Sequence, residues 1–83
     1  MNITLSKSAL KFLRKCPKNI RIILEEKIET LANKPRTLAN NIKKIKGSPD
    51  LYRLRVGDYR ILYNENGDIL NIIKIGTRSN IYD

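Results

Sequence analysis

An α+β fold is what the 83-residue sequence predicts, from three observations. Two segments near the start repeat apolar residues at helical spacing. The second half alternates apolar and polar residues at a period of two, between glycine-containing turns. Helices grouped ahead of hairpins imply a mostly antiparallel sheet with the helices on one face. The expected architecture is an N-terminal strand, a helical hairpin and a three-stranded antiparallel meander, with the helices on one sheet face.

The elements follow in order. "NITL" at residues 2–5 reads as a short strand. Leu5, Ala9, Phe12, Leu13 and Cys16 recur at helical spacing, with Ser6 placed to cap a helix. Pro17 interrupts that helix and suits the start of another. Ile20, Ile23, Leu24, Ile28 and Leu31 continue the second helix until Asn33-Lys34-Pro35 stops it. Residues 36–50 form a basic connection ending in the turn signal "GSPD". Strands are expected over Leu51–Val56, Tyr59–Tyr63 and Ile69–Ile75. Gly57-Asp58 suits a type II′ turn, and Asn66-Gly67 signals a type I′ turn.

The length allows one domain, residues 1–83. A chain of this size buries only about 60–65% of its unfolded surface, so a protein partner adds usefully to its stability. The net charge is +9, from 17 Lys and Arg against 8 Asp and Glu. Self-repulsion on that scale points to a polyanionic or acidic partner, with nucleic acid first and an acidic protein second. No segment has the strongly apolar face of an interfacial helix, and no signal peptide or transmembrane run is present. A cytoplasmic protein is expected. Cys16 is the single cysteine, which excludes an internal disulfide, and its apolar helix position predicts a small buried thiol.

The stretch "LYRLRVGDYRILY", residues 51–63, concentrates the functional signal. With Gly57-Asp58 as the turn, counting outwards pairs Val56 with Tyr59, Arg55 with Arg60, Leu54 with Ile61, Arg53 with Leu62 and Tyr52 with Tyr63. One face then carries Tyr52, Leu54, Val56, Tyr59, Ile61 and Tyr63, ready to pack on helices. The other collects Arg53, Arg55 and Arg60. Counting from Asn66-Gly67 pairs Tyr63 with Leu70, Ile61 with Ile72 and Arg60 with Ile73, and sends Asn71, Ile73 and Ile75 to the arginine face. Like charges directly across a strand pair destabilise it. A solvated face of arginine stems is the plain alternative. An anion site is the better account, because planar guanidinium forks on a stiff strand pair converge on phosphate. Arg78 and Tyr82, just after the last strand, are placed to fold over the same face. Lys43, Lys44 and Lys46 in the basic connection are assigned to RNA binding.

The chain has no histidine. That removes histidine triads, histidine metal sites and the common histidine acid–base pair of RNA cleavage. Glu25, Glu26 and Glu29 read as solvent partners for helix lysines rather than catalysts. No phosphate-cradling glycine motif occurs, so neither a metal nor a cofactor is expected. What remains is a basic site with an aromatic tip. Such a site can stabilise the charge of a phosphorane-like transition state, while RNA supplies its own nucleophile, the 2′-OH.

The block "KIKGSPDLYRLRVGDYRILY" and the ending "IGTRSNIYD" resemble the RelE toxins of the RelE/ParE superfamily. The resemblance covers nearly the whole chain. It implies the toxin of a type II toxin–antitoxin system: a metal-independent endoribonuclease that cuts mRNA in the ribosomal A site. In-line attack by the 2′-OH would leave a 2′,3′-cyclic phosphate. By position, Arg53 and Arg55 match two basic residues of the family's first hairpin strand. Arg60 matches the arginine on the scissile phosphate, Arg78 the arginine after the last strand, and Tyr82 the tyrosine that stacks on a displaced base. Bacterial members carry lysines where this chain has Arg53 and Arg55, and many relatives place a histidine where it has Thr77. An arginine is a poor general base, which leaves Tyr82 or solvent to take the proton. The implied partners are a RelB-like antitoxin, the ribosome and mRNA, with no membrane. Two other readings share the composition. A ParE-like toxin poisons gyrase without being a nuclease, and a degenerate toxin or a basic RNA-binding module would bind without catalysis.

Overall fold

The computed structural model describes residues 1–81. Tyr82 and Asp83 lie outside the described residues. The elements run β1 (Asn2–Leu5), α1 (Lys7–Lys15), α2 (Lys18–Asn33), a 3₁₀ helix (Pro35–Asn41), β2 (Ile42–Lys44), β3 (Tyr52–Val56), β4 (Tyr59–Asn66) and β5 (Ile69–Thr77). The sheet has five strands in the order β1-β5-β4-β3-β2. All neighbours are antiparallel except β1 and β5, which run parallel with the helices and the other three strands in the connection between them.

Local chemistry sets the element ends. The Ser6 hydroxyl accepts from the Ala9 amide at 3.0 Å and so caps α1. Pro17 has no amide hydrogen to continue that helix, and it stands as the residue before α2. Cys16 closes α1, its thiol donating to the Leu13 carbonyl at 3.4 Å, and it is half-buried rather than the fully buried thiol expected.

The connection of residues 36–50 holds more structure than its basic composition predicts. A 3₁₀ helix leads into β2, which pairs with β3 through Ile42–Leu54, Lys43–Arg53 and Lys44–Tyr52. The meander therefore has a fourth antiparallel strand. The bend before β3 is closed by the Ile45 amide on the Leu51 carbonyl at 2.8 Å.

The β3–β4 register is the one counted from the sequence, residue for residue. Gly57 has φ +57° while Asp58 is not left-handed, as a type II′ turn demands. The β4–β5 register differs. The left-handed turn residue is Gly67, at φ +59°, and Asn66 instead pairs with Ile69. The turn is thus Gly67-Asp68 with glycine first, not a type I′ Asn66-Gly67. A bulge in β5, opposite Leu62 and Tyr63 of β4, leaves Ile73 without a partner in β4. The resulting pairs are Tyr63–Ile72, Ile61–Ile75 and Arg60–Gly76. The one-residue bulge flips the faces beyond it. Ile75 joins the core instead of the arginine face, while Lys74 and Gly76 take the arginine face.

The core lies between the helices and one face of the sheet. Ala9, Leu13, Leu24, Ile28 and Leu31 from the helices meet Leu54, Ile61, Tyr63, Leu70, Ile72 and Ile75 from the strands. Phe12 meets Tyr59 edge-on at 6.0 Å, tying α1 to the start of β4. Tyr52 and Tyr63, opposite each other across the strand pair, stack at 5.7 Å. Among the described residues no helix is long and apolar enough to cross a membrane.

Candidate functional site

The far face of the sheet carries the cations, ordered in rungs across β3, β4 and β5. One rung is Arg53–Leu62–Lys74 and the next is Arg55–Arg60–Gly76. Lys43 extends the first rung onto β2, opposite Arg53. At the β1 side the same face is neutral: Thr4 donates to Asn71, and Asn71 donates to Asn64 at 2.8 Å.

Arg53, Arg55, Arg60 and Arg78 line one open cleft of ≈ 480 Å³ together with Lys43, Asn40 and Asn41. Four of the five predicted catalytic residues are thereby brought together. The fifth, Tyr82, lies outside the described residues. Of the three lysines assigned to RNA, only Lys43 reaches the cleft. Lys44 pairs with Tyr52, so its side points away from the arginine face, and Lys46 belongs to the adjoining loop with Gly47 and Ser48. A three-residue strand is what separates Lys43 from Lys44, and the basic run gave no sign of it.

Two lining residues escaped sequence reasoning. Asn40 and Asn41 sit at the end of the 3₁₀ helix. The Asn41 side-chain oxygen accepts from Arg55 Nη2 at 3.2 Å, which turns that guanidinium toward β2. An asparagine pair beside a turn is common enough that only the position of the 3₁₀ helix marks it.

Arg60 is fixed differently. Its Nη1 donates to the Gly57 carbonyl at 2.8 Å and to the Tyr59 carbonyl at 2.9 Å. The rest of the guanidinium fork stays available to an anion. Its pKa is lowered, first by burial and then by Arg53, Arg55 and Arg78, with Asp58 opposing. The cations therefore sit close enough to repel one another, and an anion placed among them relieves that repulsion. Asp58 also carries the link to Arg78: its carbonyl accepts the Arg78 amide at 2.9 Å, bringing the segment after β5 against the β3–β4 turn.

The described lining is cationic and amide-bearing, with no carboxylate. Such a lining has the chemistry to bind and polarise a phosphodiester. It does not by itself accept a proton near neutral pH.

Known proteins match this chain over its full length. A family model, that of the ParE toxin of the type II toxin–antitoxin system parDE, matches residues 3–82. Toxin RelE3 of Methanocaldococcus jannaschii is 38% identical, with 100% of this chain and 97% of that protein covered. The chain belongs to the RelE toxin family of the RelE/ParE superfamily.

Solved RelE structures agree in fold. The archaeal RelE–RelB complex from Pyrococcus horikoshii superposes with a TM-score of 0.78 at 28% identity, covering 95% of this chain and 96% of that one. The RelB–RelE antitoxin–toxin complex from Methanococcus jannaschii gives 0.76 at 36% identity, covering 95% and 94%. The arginine cluster of this RelE-family toxin thus stands on the same fold as the toxin chains of those two complexes.

Proposed function

We propose that this RelE-family toxin is a ribosome-dependent mRNA endoribonuclease that works without a metal. The observation that carries the reading is the convergence of Arg53, Arg55, Arg60 and Arg78 on one cleft, on the sheet face opposite the core. A fold gains nothing in stability from four like charges gathered there, whereas the extra negative charge of a phosphorane-like transition state is stabilised by them.

The step is an in-line transfer. The 2′-oxygen attacks the neighbouring phosphorus, the bond from phosphorus to the 5′-oxygen breaks, and the products are a 2′,3′-cyclic phosphate and a 5′-hydroxyl. The 2′-OH proton passes to Tyr82 or to solvent, and a proton returns to the leaving 5′-oxygen. Arg60, anchored on two carbonyls, meets the non-bridging oxygens. Arg55, turned by Asn41, and Arg53 hold the flanking phosphates in line, and Arg78 closes the cleft from the side of the β3–β4 turn. Lys43 contacts backbone phosphate.

The partner we assign is a RelB-like antitoxin, since the solved relatives are complexes with RelB. At +9 the toxin suits an acidic or amphipathic segment laid over it. Loss of cutting on mixing toxin with saturating antitoxin is the expected result, and cutting that persists counts against shielding.

The deciding assay adds the purified toxin to ribosomes programmed with mRNA and, in parallel, to naked mRNA, and maps the 3′ ends. Cuts confined to the ribosome, ending in 2′,3′-cyclic phosphate and lost in Arg78→Ala, establish the reading. The matching family model is that of ParE toxins. Absence of cuts in both samples therefore sends the same preparation to a gyrase DNA-cleavage assay.

A further inference from the structure

Ile81 is 1% exposed, yet it stands outside the cluster that forms the helix-side core. Its place follows from Gly76. Gly76 pairs with Arg60, so a side chain at that position would project from the arginine face. The space such a side chain would take is filled by Ile81: a Cβ added to Gly76 would lie 3.2 Å from Ile81 Cδ1 and 3.5 Å from Ile81 Cα. Glycine serves here by allowing close approach, not by its dihedral freedom: a Cβ would oblige Ile81 to shift by a few tenths of an ångström. The rung Arg55–Arg60–Gly76 thus ends in a socket, and Ile81 is the knob in it.

The backbone between knob and strand is a closed turn. The Asn80 and Ile81 amides donate to the Thr77 carbonyl at 3.1 and 3.0 Å. The Arg78 amide donates to the Asp58 carbonyl at 2.9 Å. Arg78 therefore sits between two anchors, the turn hydrogen bond on one side and the buried isoleucine on the other. It needs both. Arg78 acts on Arg60 as a like charge, and mutual repulsion drives an exposed arginine that lies outside the strands away from the cluster.

We infer that Ile81, seated on Gly76, is a positioning residue that holds Arg78 in the phosphate cleft. The inference rests on the ribonuclease reading for what Arg78 does, but not for where Ile81 puts it.

The test is a set of variants of the full chain, read by single-turnover cleavage of ribosome-bound mRNA. Ile81→Ala should lower the rate by about tenfold to a hundredfold, the cost of a misplaced group, with half-saturating toxin concentration little changed. Added to Arg78→Ala, it should cost nothing more, because the arginine it positions is already gone. A merely structural role predicts additive losses instead, and additive losses would overturn the inference. So would full activity in Ile81→Ala or in Arg78→Ala. Gly76→Ala approaches from the other side, crowding Cδ1 of Ile81. It should slow cleavage, and the pair Gly76→Ala with Ile81→Val, which lacks that carbon, should recover most of the rate. Failure to recover refutes the socket even if Ile81→Ala does not fold.

If the wild-type toxin cuts no RNA, the ribonuclease reading falls and the latch is judged by binding. Affinity for a single-stranded RNA oligonucleotide is then measured against salt. Ile81→Ala should flatten the slope as much as Arg78→Ala does, by about 0.7 for one phosphate contact, and an unchanged slope overturns it.

Discussion

Arg55 and Arg60 face each other across the β3–β4 pair, and their guanidinium groups are tied to different acceptors. Arg60 folds back onto the carbonyls of Gly57 and Tyr59, and Arg55 reaches the side chain of Asn41. The pair is thus held apart at the heads while the stems stay opposed. Its two members make unequal contributions to stability. Arg55 is exposed and holds one side-chain amide, whereas Arg60 is half-buried and ties down the turn.

Arg55→Ala is therefore expected to raise the melting temperature, since it removes a cross-strand repulsion of up to about 1 kcal/mol. Arg60→Ala relieves the same repulsion but loses two hydrogen bonds to turn carbonyls, together roughly 1 kcal/mol at this exposure, and should come out neutral to destabilising. Thermal melts of both variants at low salt check the pair. Equal gains in the two would show that the Arg60 contacts contribute nothing.

The β3–β4 pairing was legible because Gly57-Asp58 fixes the turn and six alternating apolar residues fix the face. The same count failed one hairpin on. Asn66-Gly67 satisfies a type I′ pattern, but Gly67-Asp68 satisfies a type II′ pattern equally well, and local sequence does not choose between them. The bulge at Ile73 is a matter of packing: it turns Ile75 inward onto the core, which alternation alone had sent outward. β2 is three residues long and two of them are lysine, below any strand signal. The arginines that depend on β3–β4 were found from the sequence. Asn40, Asn41 and Ile81 depend on where the 3₁₀ helix and the final turn fold, and they were not. The cleft lining draws on both kinds, through the arginines and the two asparagines.

Tyr63 predicts an alkaline limit to stability. Its phenol is pushed up to about 12, chiefly by burial and further by Glu65 and Tyr52. An unfolded tyrosine ionises near 10. A phenol raised in the folded state contributes stability that is complete below about pH 10 and is lost as pH climbs toward 12, on the order of 2 kcal/mol in all. Tyr63→Phe keeps the stack on Tyr52 and has no proton to lose. Urea unfolding at pH 8 and pH 11 should show a smaller loss in the variant than in the wild type. Equal losses would mean that Tyr63 ionises as freely folded as unfolded.

The lysines separate by face. Lys43 lies opposite Arg53 and lines the cleft, whereas Lys44 lies opposite Tyr52 and Lys46 is in the loop beyond. Each phosphate contact adds about 0.7 to the salt slope of single-strand binding. Lys43→Ala should lower the slope by about that amount, while Lys44→Ala and Lys46→Ala leave it within error. Binding of a short single-stranded RNA over a range of potassium concentrations reads all three. Equal effects would point to a diffuse basic surface in place of a cleft.

Arg60→Lys separates charge from geometry. Lysine keeps the positive charge and so keeps most of the attraction for RNA. It cannot hold the Gly57 and Tyr59 carbonyls and still present a planar fork to phosphate, because its three donors radiate from one nitrogen. Binding should change by a few-fold at most. Single-turnover cleavage should fall by about a hundredfold, the scale for losing one preorganised donor to a developing oxyanion. A rate that follows affinity would mean that Arg60 serves as a point charge. A large rate loss at near-constant affinity would place its contribution in the transition state, where the fixed fork acts.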